Sequence, residues 1–175
     1  MRRVLFSSLL FYTNFIFLFM HAAYAAEPTL CKADETIILS CPVEGNKGKI
    51  ISMCAKNAGN GKNPSYIEYR FGTKKNTEMT YLVTKNNGAK IYRGLYDGTY
   101  SIFFGFKIKD YFYIAEVPQE VKRAHMNIII RKNTERIATI LCKVNSWEEN
   151  KDIKTTLLTD VDGEALMEGE IEPEK

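Results

Sequence analysis

Few residues in this chain could carry out chemistry. Beyond residue 25 the only histidine is His125. A Ser-His-Asp or Cys-His relay needs a histidine placed as a base. His125 instead opens the run Met126-Asn127-Ile128-Ile129-Ile130, which reads as the start of a strand. A lone histidine there is more often an edge or structural residue than a base. Glu68, Asp97, Asp110 and Glu116 are candidate carboxylates of the β-forming region. A glycosidase-type pair would need two of them to converge. Asp97 and Asp110 stand where turns favour aspartate for backbone reasons. Glu68 and Glu116 alternate with aromatic and aliphatic neighbours, as solvent-facing strand residues do. Nothing in the spacing singles out a pair, so the sequence points to a non-enzymatic protein and no cofactor.

Cys31, Cys41, Cys54 and Cys142 remain. They include no closely spaced C-x₂-C pair of the kind structural zinc requires, so no metal is expected. Asp160-Val161-Asp162-Gly163 fails as a calcium loop, because Leu158 and Gly169 would fall at the first and twelfth positions, where oxygen ligands belong. Neither glycine-rich phosphate-binding pattern occurs. An even cysteine count in an exported chain reads as two disulfides. A hairpin of Thr36–Cys41 and Lys49–Cys54, closing near Lys47-Gly48, would set Cys41 opposite Cys54. Cys31 would then pair with Cys142.

The expected address is outside the cytoplasm. Met1-Arg2-Arg3, an apolar stretch from Val4 to Met20 and Ala23-Tyr24-Ala25 have the three parts of a secretory signal peptide, residues 1–25. Leu30 before Cys31 argues against a lipid anchor. No later segment has the length or apolarity to span a bilayer, so no stable membrane insertion is expected after cleavage. The location implied is periplasmic or secreted.

Beyond the signal, residues 26–147 read as one disulfide-tied β-domain. Short runs rich in β-formers (Tyr66–Phe71, Thr77–Thr84, Tyr100–Ile108, Tyr111–Val117, His125–Arg131, Arg136–Val144) are separated by Gly, Asn, Asp and Lys turns. That spacing predicts an all-β fold of about eight or nine short strands, as an antiparallel meander, barrel or sandwich. Residues 148–175 carry ten acids against three lysines, whereas residues 26–147 carry 19 basic residues against 11 acids. The acidic segment is expected to be a flexible, partly disordered tail.

A basic, aromatic-rich body invites comparison with nucleic-acid binders. The export signal and the scattering of lysines through turns exclude that reading here. A protein partner, a toxin or a hydrolase, fits the compartment better, with the rigid frame presenting loops at Ala55–Pro64 and Lys85–Gly88. The candidate contact residues are Lys90, Tyr92, Tyr96, Lys107 and Lys109, together with Trp147. A structural envelope module and a carboxylate-dependent hydrolase are the alternatives.

Cys41-Pro42, Gly48-Lys49-Ile50-Ile51-Ser52-Met53-Cys54 and Tyr69-Arg70-Phe71-Gly72 resemble segments of small exported proteobacterial β-proteins of unassigned function. Asn87-Gly88-Ala89-Lys90-Ile91-Tyr92 is similar in form to the Ser-Gly-x-x-Tyr loop of the periplasmic inhibitors of c-type lysozyme. That resemblance implies a small β-barrel whose second contact loop would bear Lys107 or Lys109. Asn87 replaces the serine and the tyrosine comes one residue late. The basic body would also face a cationic enzyme, and like charges cost affinity.

Overall fold

The computed structural model describes residues 28–56, 63–98, 100–118, 125–143 and 153–171. The expected signal peptide and Trp147 lie outside them, as does most of the Ala55–Pro64 loop. The fold is all-β, with ten strands in two sheets and one short helix among the described residues. The first sheet is the meander β1 (Glu35–Pro42), β2 (Ile50–Lys56), β3 (Tyr66–Thr73) and β4 (Asn76–Thr84). The second holds β5 (Ile91–Tyr96), β6 (Ser101–Ile108), β7 (Tyr111–Pro118), β8 (Asn127–Lys132), β9 (Glu135–Leu141) and β10 (Leu158–Asp162). Its order is β10-β5-β6-β7-β8-β9. Helix α1 (Gly163–Glu168) follows β10 directly.

Strand alternation builds the main core. Ile67 and Tyr69 of β3 meet Ile102, Phe104 and Phe106 of β6, while Ile51 and Met53 of β2 bring in the neighbouring row. Phe106 is the centre of an aromatic stack, 4.4 Å from Tyr81, 4.7 Å from Tyr69 and 5.3 Å from Tyr113. Such contacts add to the area buried.

Besides packing face to face, the two sheets are joined edge to edge, among the described residues, along one side only. Val43 bridges to Cys142, and the Glu44 N–H donates to the Leu141 carbonyl at 2.8 Å. The Lys143 N–H donates to the Pro42 carbonyl at 2.8 Å. The Cys41–Cys142 disulfide lies inside this corner, with both residues fully buried. On the opposite side β4 and β10 end their sheets, and no strand pairing joins them among the described residues. The arrangement is an open sandwich, not a closed barrel.

This pairing corrects the expected disulfides, Cys41–Cys54 and Cys31–Cys142. The observed bonds are Cys31–Cys54 and Cys41–Cys142. The cause is the hairpin register. Pro42 pairs with Ile50, which sets Cys41 opposite Ile51 and Cys54 opposite Ile37. The expected register is off by three residues, and an odd slip turns a side chain to the other face of a sheet. Cys41 points into the core, and Cys54 faces outward beneath the N-terminal segment.

That segment, residues 28–34, lies across the outer face of the first sheet. Ser40, Ser52 and Arg70 occupy one cross-strand row, all buried. Ser40 Oγ donates to the Pro28 carbonyl at 2.8 Å, and the Leu30 N–H donates to Ser52 Oγ at 2.9 Å. Arg70 donates to the Leu30 carbonyl at 2.9 Å and grips Glu35 through two bonds of 2.6 and 2.7 Å. A second carboxylate, Glu68, also accepts from Arg70, and Tyr66 donates to Glu35. Burial by itself would raise the Glu35 carboxyl, but the bonds from Arg70, Tyr66 and the Lys32 N–H outweigh it and hold it at about 2.

The acidic C-terminal segment also departs from expectation. Its described part is built into the fold instead of trailing from it. β10 pairs in parallel with β5, so the second sheet is mixed. Asp162 caps α1 by accepting from the Ala165 N–H at 2.9 Å. Gly163 follows β5 so closely that a Cβ there would stand 2.2 Å from the Leu95 carbonyl oxygen. The helix then lays Leu166 into a second core with Phe103, Phe112, Ile114 and Ile129 on the sheet's outer face. Gly105 makes room for it, since a Cβ there would meet Leu166 at 2.7 Å. Arg131 secures the end of the helix, donating to the Met167 and Thr134 carbonyls and to Glu168.

Two measurements check this account. Removing the corner bond (Cys41→Ala with Cys142→Ala) should cost about 4–5 kcal/mol, and removing the shorter-loop Cys31–Cys54 bond about 3 kcal/mol, on the chain-entropy scale. Non-reducing peptide mapping with urea titration of each double variant reads both the pairing and the losses. Glu35, its carboxyl held at about 2 against 4.5 for a free glutamate, contributes stability that is complete above the unfolded-chain value and lost as pH falls toward 2. The stability gap between wild type and Glu35→Gln should therefore narrow by about 2 kcal/mol between pH 6 and pH 2. A constant gap would contradict the role given to its charge.

Candidate functional site

The open side of the sandwich holds the candidate site. A cleft of about 360 Å³ lies where the β4–β5 connection faces the chain leading into β10. Its walls are Val83, Thr84, Lys85, Gly88, Ala89 and Lys90 on one side, and Thr156, Leu157 and Thr159 on the other. Two lysines and three threonines stand over an apolar floor, and no carboxylate among the described residues lines it. Val83 and Leu157 belong to the main core, so the floor is rigid.

The β4–β5 connection is held in place by two side chains. Asn87 Nδ2 donates to the Leu82 carbonyl at 2.7 Å. Its Oδ1 accepts from the Thr84 N–H at 3.1 Å and the Ala89 N–H at 3.2 Å. Gly88 turns the chain at a φ of 68°, a conformation glycine adopts without cost. The Tyr81 hydroxyl donates to the Lys90 carbonyl at 3.2 Å and lies 3.3 Å from the Lys90 N–H, an acceptor contact. Burial raises the Tyr81 phenol above its usual value, keeping it neutral and able to donate. The far wall is anchored separately. The Thr156 N–H donates to Asn63 Oδ1 at 3.3 Å, and Arg93 holds both Asp160, in a bidentate pair, and the Ile153 carbonyl. Both walls are thus preorganised, which lowers the ordering cost of binding.

The sequence-predicted contact residues do not form one patch. Lys90 lies in the cleft wall. Lys107 is exposed near the end of β6, and Lys109 sits in the β6–β7 turn at a φ of 53°. Tyr92 and Tyr96 are half-buried against the outer core under α1, Tyr92 with its ring 6.3 Å from Phe112. The carboxylates are dispersed too. Glu68 faces Arg70 on the outside of the first sheet, and Glu116 bonds Ser101 and Asn127 on the second. Asp97 and Asp110 stand in the turns at opposite ends of β6. His125 is exposed, its Nδ1 3.0 Å from the Cys142 carbonyl oxygen.

One potential metal-ligand cluster exists among the described residues, Cys31, Glu35 and Cys54. There the sulfurs are bonded to each other and Glu35 is held by Arg70, which leaves no donor set for a cation. No helix among the described residues is long and apolar enough to cross a membrane. The two disulfides are consistent with an oxidising compartment outside the cytoplasm.

Sequence reasoning missed Tyr81, Asn87, Thr156 and Thr159 as parts of a site. Asn87-Gly88 carried a turn signal, but nothing local announced that an asparagine side chain would bond the strand before it. Thr156 and Thr159 sat in a segment whose charge suggested disorder. No protein-family model, curated protein or solved structure matches this chain.

Asn87→Ala removes three hydrogen bonds from one exposed loop and should cost about 1–2 kcal/mol. Amide exchange at Thr84 and Ala89 should accelerate, with Val83 unchanged. Uniform acceleration along β4 would show that Asn87 supports the whole strand and not the loop alone.

Proposed function

We propose that this chain is an exported, non-enzymatic binding protein of the periplasm, an inhibitor or immunity-type protein that neutralises another protein held at the open side of the sandwich. One observation carries the reading. The cleft with Lys85, Lys90 and three threonines is fixed by Asn87 and Tyr81 on one wall and by Asn63 and Arg93 on the other. Rigid walls around a polar opening suit recognition, and charged rims steer association. The dispersed carboxylates and the disulfide-bonded cysteines give no comparable support to a hydrolase.

The test is affinity capture with the mature chain, residues 26–175, from its own periplasm and from the secretions of neighbouring cells. A partner retained at moderate salt, its affinity lowered about tenfold or more by Lys85→Glu with Lys90→Glu, is the expected result. A partner held equally well by the double variant would place recognition elsewhere. An empty capture would remove the tight-binding reading altogether.

A further inference from the structure

The segment over the first sheet adds nothing to either core. Pro28, Leu30 and Ala33 pack with neither apolar cluster. Ser40 and Arg70 donate to the Pro28 and Leu30 carbonyls, the Leu30 N–H donates to Ser52, and the Thr29 hydroxyl lies 3.3 Å from that of Ser52. Hydrogen bonds of modest net worth compete there with the entropy of ordering the segment. The Cys31–Cys54 bond is its covalent tie. Nearer to β1 the Lys32 N–H bonds Glu35 and Asp34 pairs with Lys56, which anchors the base from which residues 28–31 extend.

The two disulfides stand in opposite situations. Cys41 and Cys142 are fully buried between the sheets, whereas half-buried Cys31 lies over a fully buried Cys54. A thiolate must approach the sulfur that it attacks, and of the four cysteines Cys31 is the one open to it. The first sheet itself separates Cys54, on its outer face, from Cys41, on its inner face. A freed Cys54 therefore has no path to the corner bond while the sandwich is folded. Opening the outer bond strands no charge either. Arg70 keeps Glu35 of β1 and Glu68 of β3, and water replaces the Leu30 carbonyl.

We propose that Cys31–Cys54 is a thiol-exchange site for an external dithiol, of the kind a thiol–disulfide oxidoreductase presents, and that opening it frees residues 28–31 while Cys41–Cys142 stays closed. One thiolate of the dithiol attacks Cys31 Sγ, the Cys31–Cys54 bond breaks, and Cys54 leaves as a thiolate that takes a proton from water. The second thiol of the dithiol, once deprotonated, attacks its own partner sulfur in the mixed disulfide and releases Cys31. The cysteine pair gains two electrons and two protons, and the dithiol ends as a disulfide. The freed segment uncovers the row of Ser40, Ser52 and Arg70. This site is independent of the cleft and of its occupant.

The test treats the oxidised protein with dithiothreitol under native conditions, quenches with iodoacetamide and maps the labelled peptides. Cys31 and Cys54 should label at least about tenfold faster than Cys41 and Cys142, because local opening precedes global opening. In the selectively reduced protein, amide exchange at Leu30 should accelerate at least about tenfold, with Phe104 of β6 unchanged. Cys31→Ala with Cys54→Ala should reproduce that Leu30 rate, and the reduced wild type decides the matter if this variant misfolds. A monothiol, 2-mercaptoethanol, trapped in acid, should be found on Cys31, with Cys54 free.

Equal labelling of both pairs, an adduct on Cys54, or faster exchange at Phe104 on opening Cys31–Cys54 overturns the exchange site. Selective reduction that leaves Leu30 exchange unchanged overturns the release of the segment.

Discussion

The join between the end of β1 and the end of β9 governs the rest of this structure. There Val43 bridges Cys142, two flanking backbone hydrogen bonds clamp the chains, and the buried Cys41–Cys142 bond links the sheets from within. Tying a sandwich at one corner fixes how its inner faces meet, and therefore which aromatic rows stack around Phe106. It also leaves the far edges, β4 and β10, as the place where the sheets stay apart. The cleft is the counterpart of that corner: one side closed by covalent and main-chain bonds, the other left open.

Both outer faces are covered by the chain's own ends. The N-terminal segment covers the first sheet with polar contacts, and the C-terminal helix covers the second with apolar ones. The chemistry differs because the faces differ. The outer row of the first sheet is Ser40, Ser52 and Arg70, groups that must be hydrogen-bonded once buried. Glu35 and Glu68 supply the counter-charge that a buried guanidinium requires. The outer face of the second sheet offers Phe103, Ile114 and Ile129, which need only an apolar lid, and Leu166 provides it. A modest domain thereby gains buried surface on three layers instead of one.

The open side is managed in the same economical way. Free strand edges invite unwanted pairing, and this molecule blunts one with aspartates and the other, over part of its length, with a single asparagine side chain. Charge separates these roles as well. Among the described acids near the C-terminus, Asp162 caps the helix and Asp160 pairs with Arg93. Lys85 and Lys90 line the cleft.

Period-two alternation was enough to read most of the strands from sequence, though not β10. Ile67, Tyr69 and Phe71, and likewise Ile102, Phe104 and Phe106, face the core as their spacing implies, because each strand's pattern is a local property. The all-β class and the turns at Lys109-Asp110 and Asn133 followed from the same local chemistry. Register did not. A three-residue error in the β1–β2 hairpin exchanged the cysteine partners, since face and distance depend on where a turn closes and not on composition. The C-terminal segment was misread for a related reason. Its net charge is a sum over residues, whereas its place in the fold depends on Leu158 and Leu166 finding apolar surface made by strands far away in sequence. The cleft was beyond sequence reasoning altogether. Thr84 and Lys90 meet Thr156 and Thr159 only because β5 receives β10 as a parallel neighbour, and non-local pairing of that kind is decided by the assembled sheets.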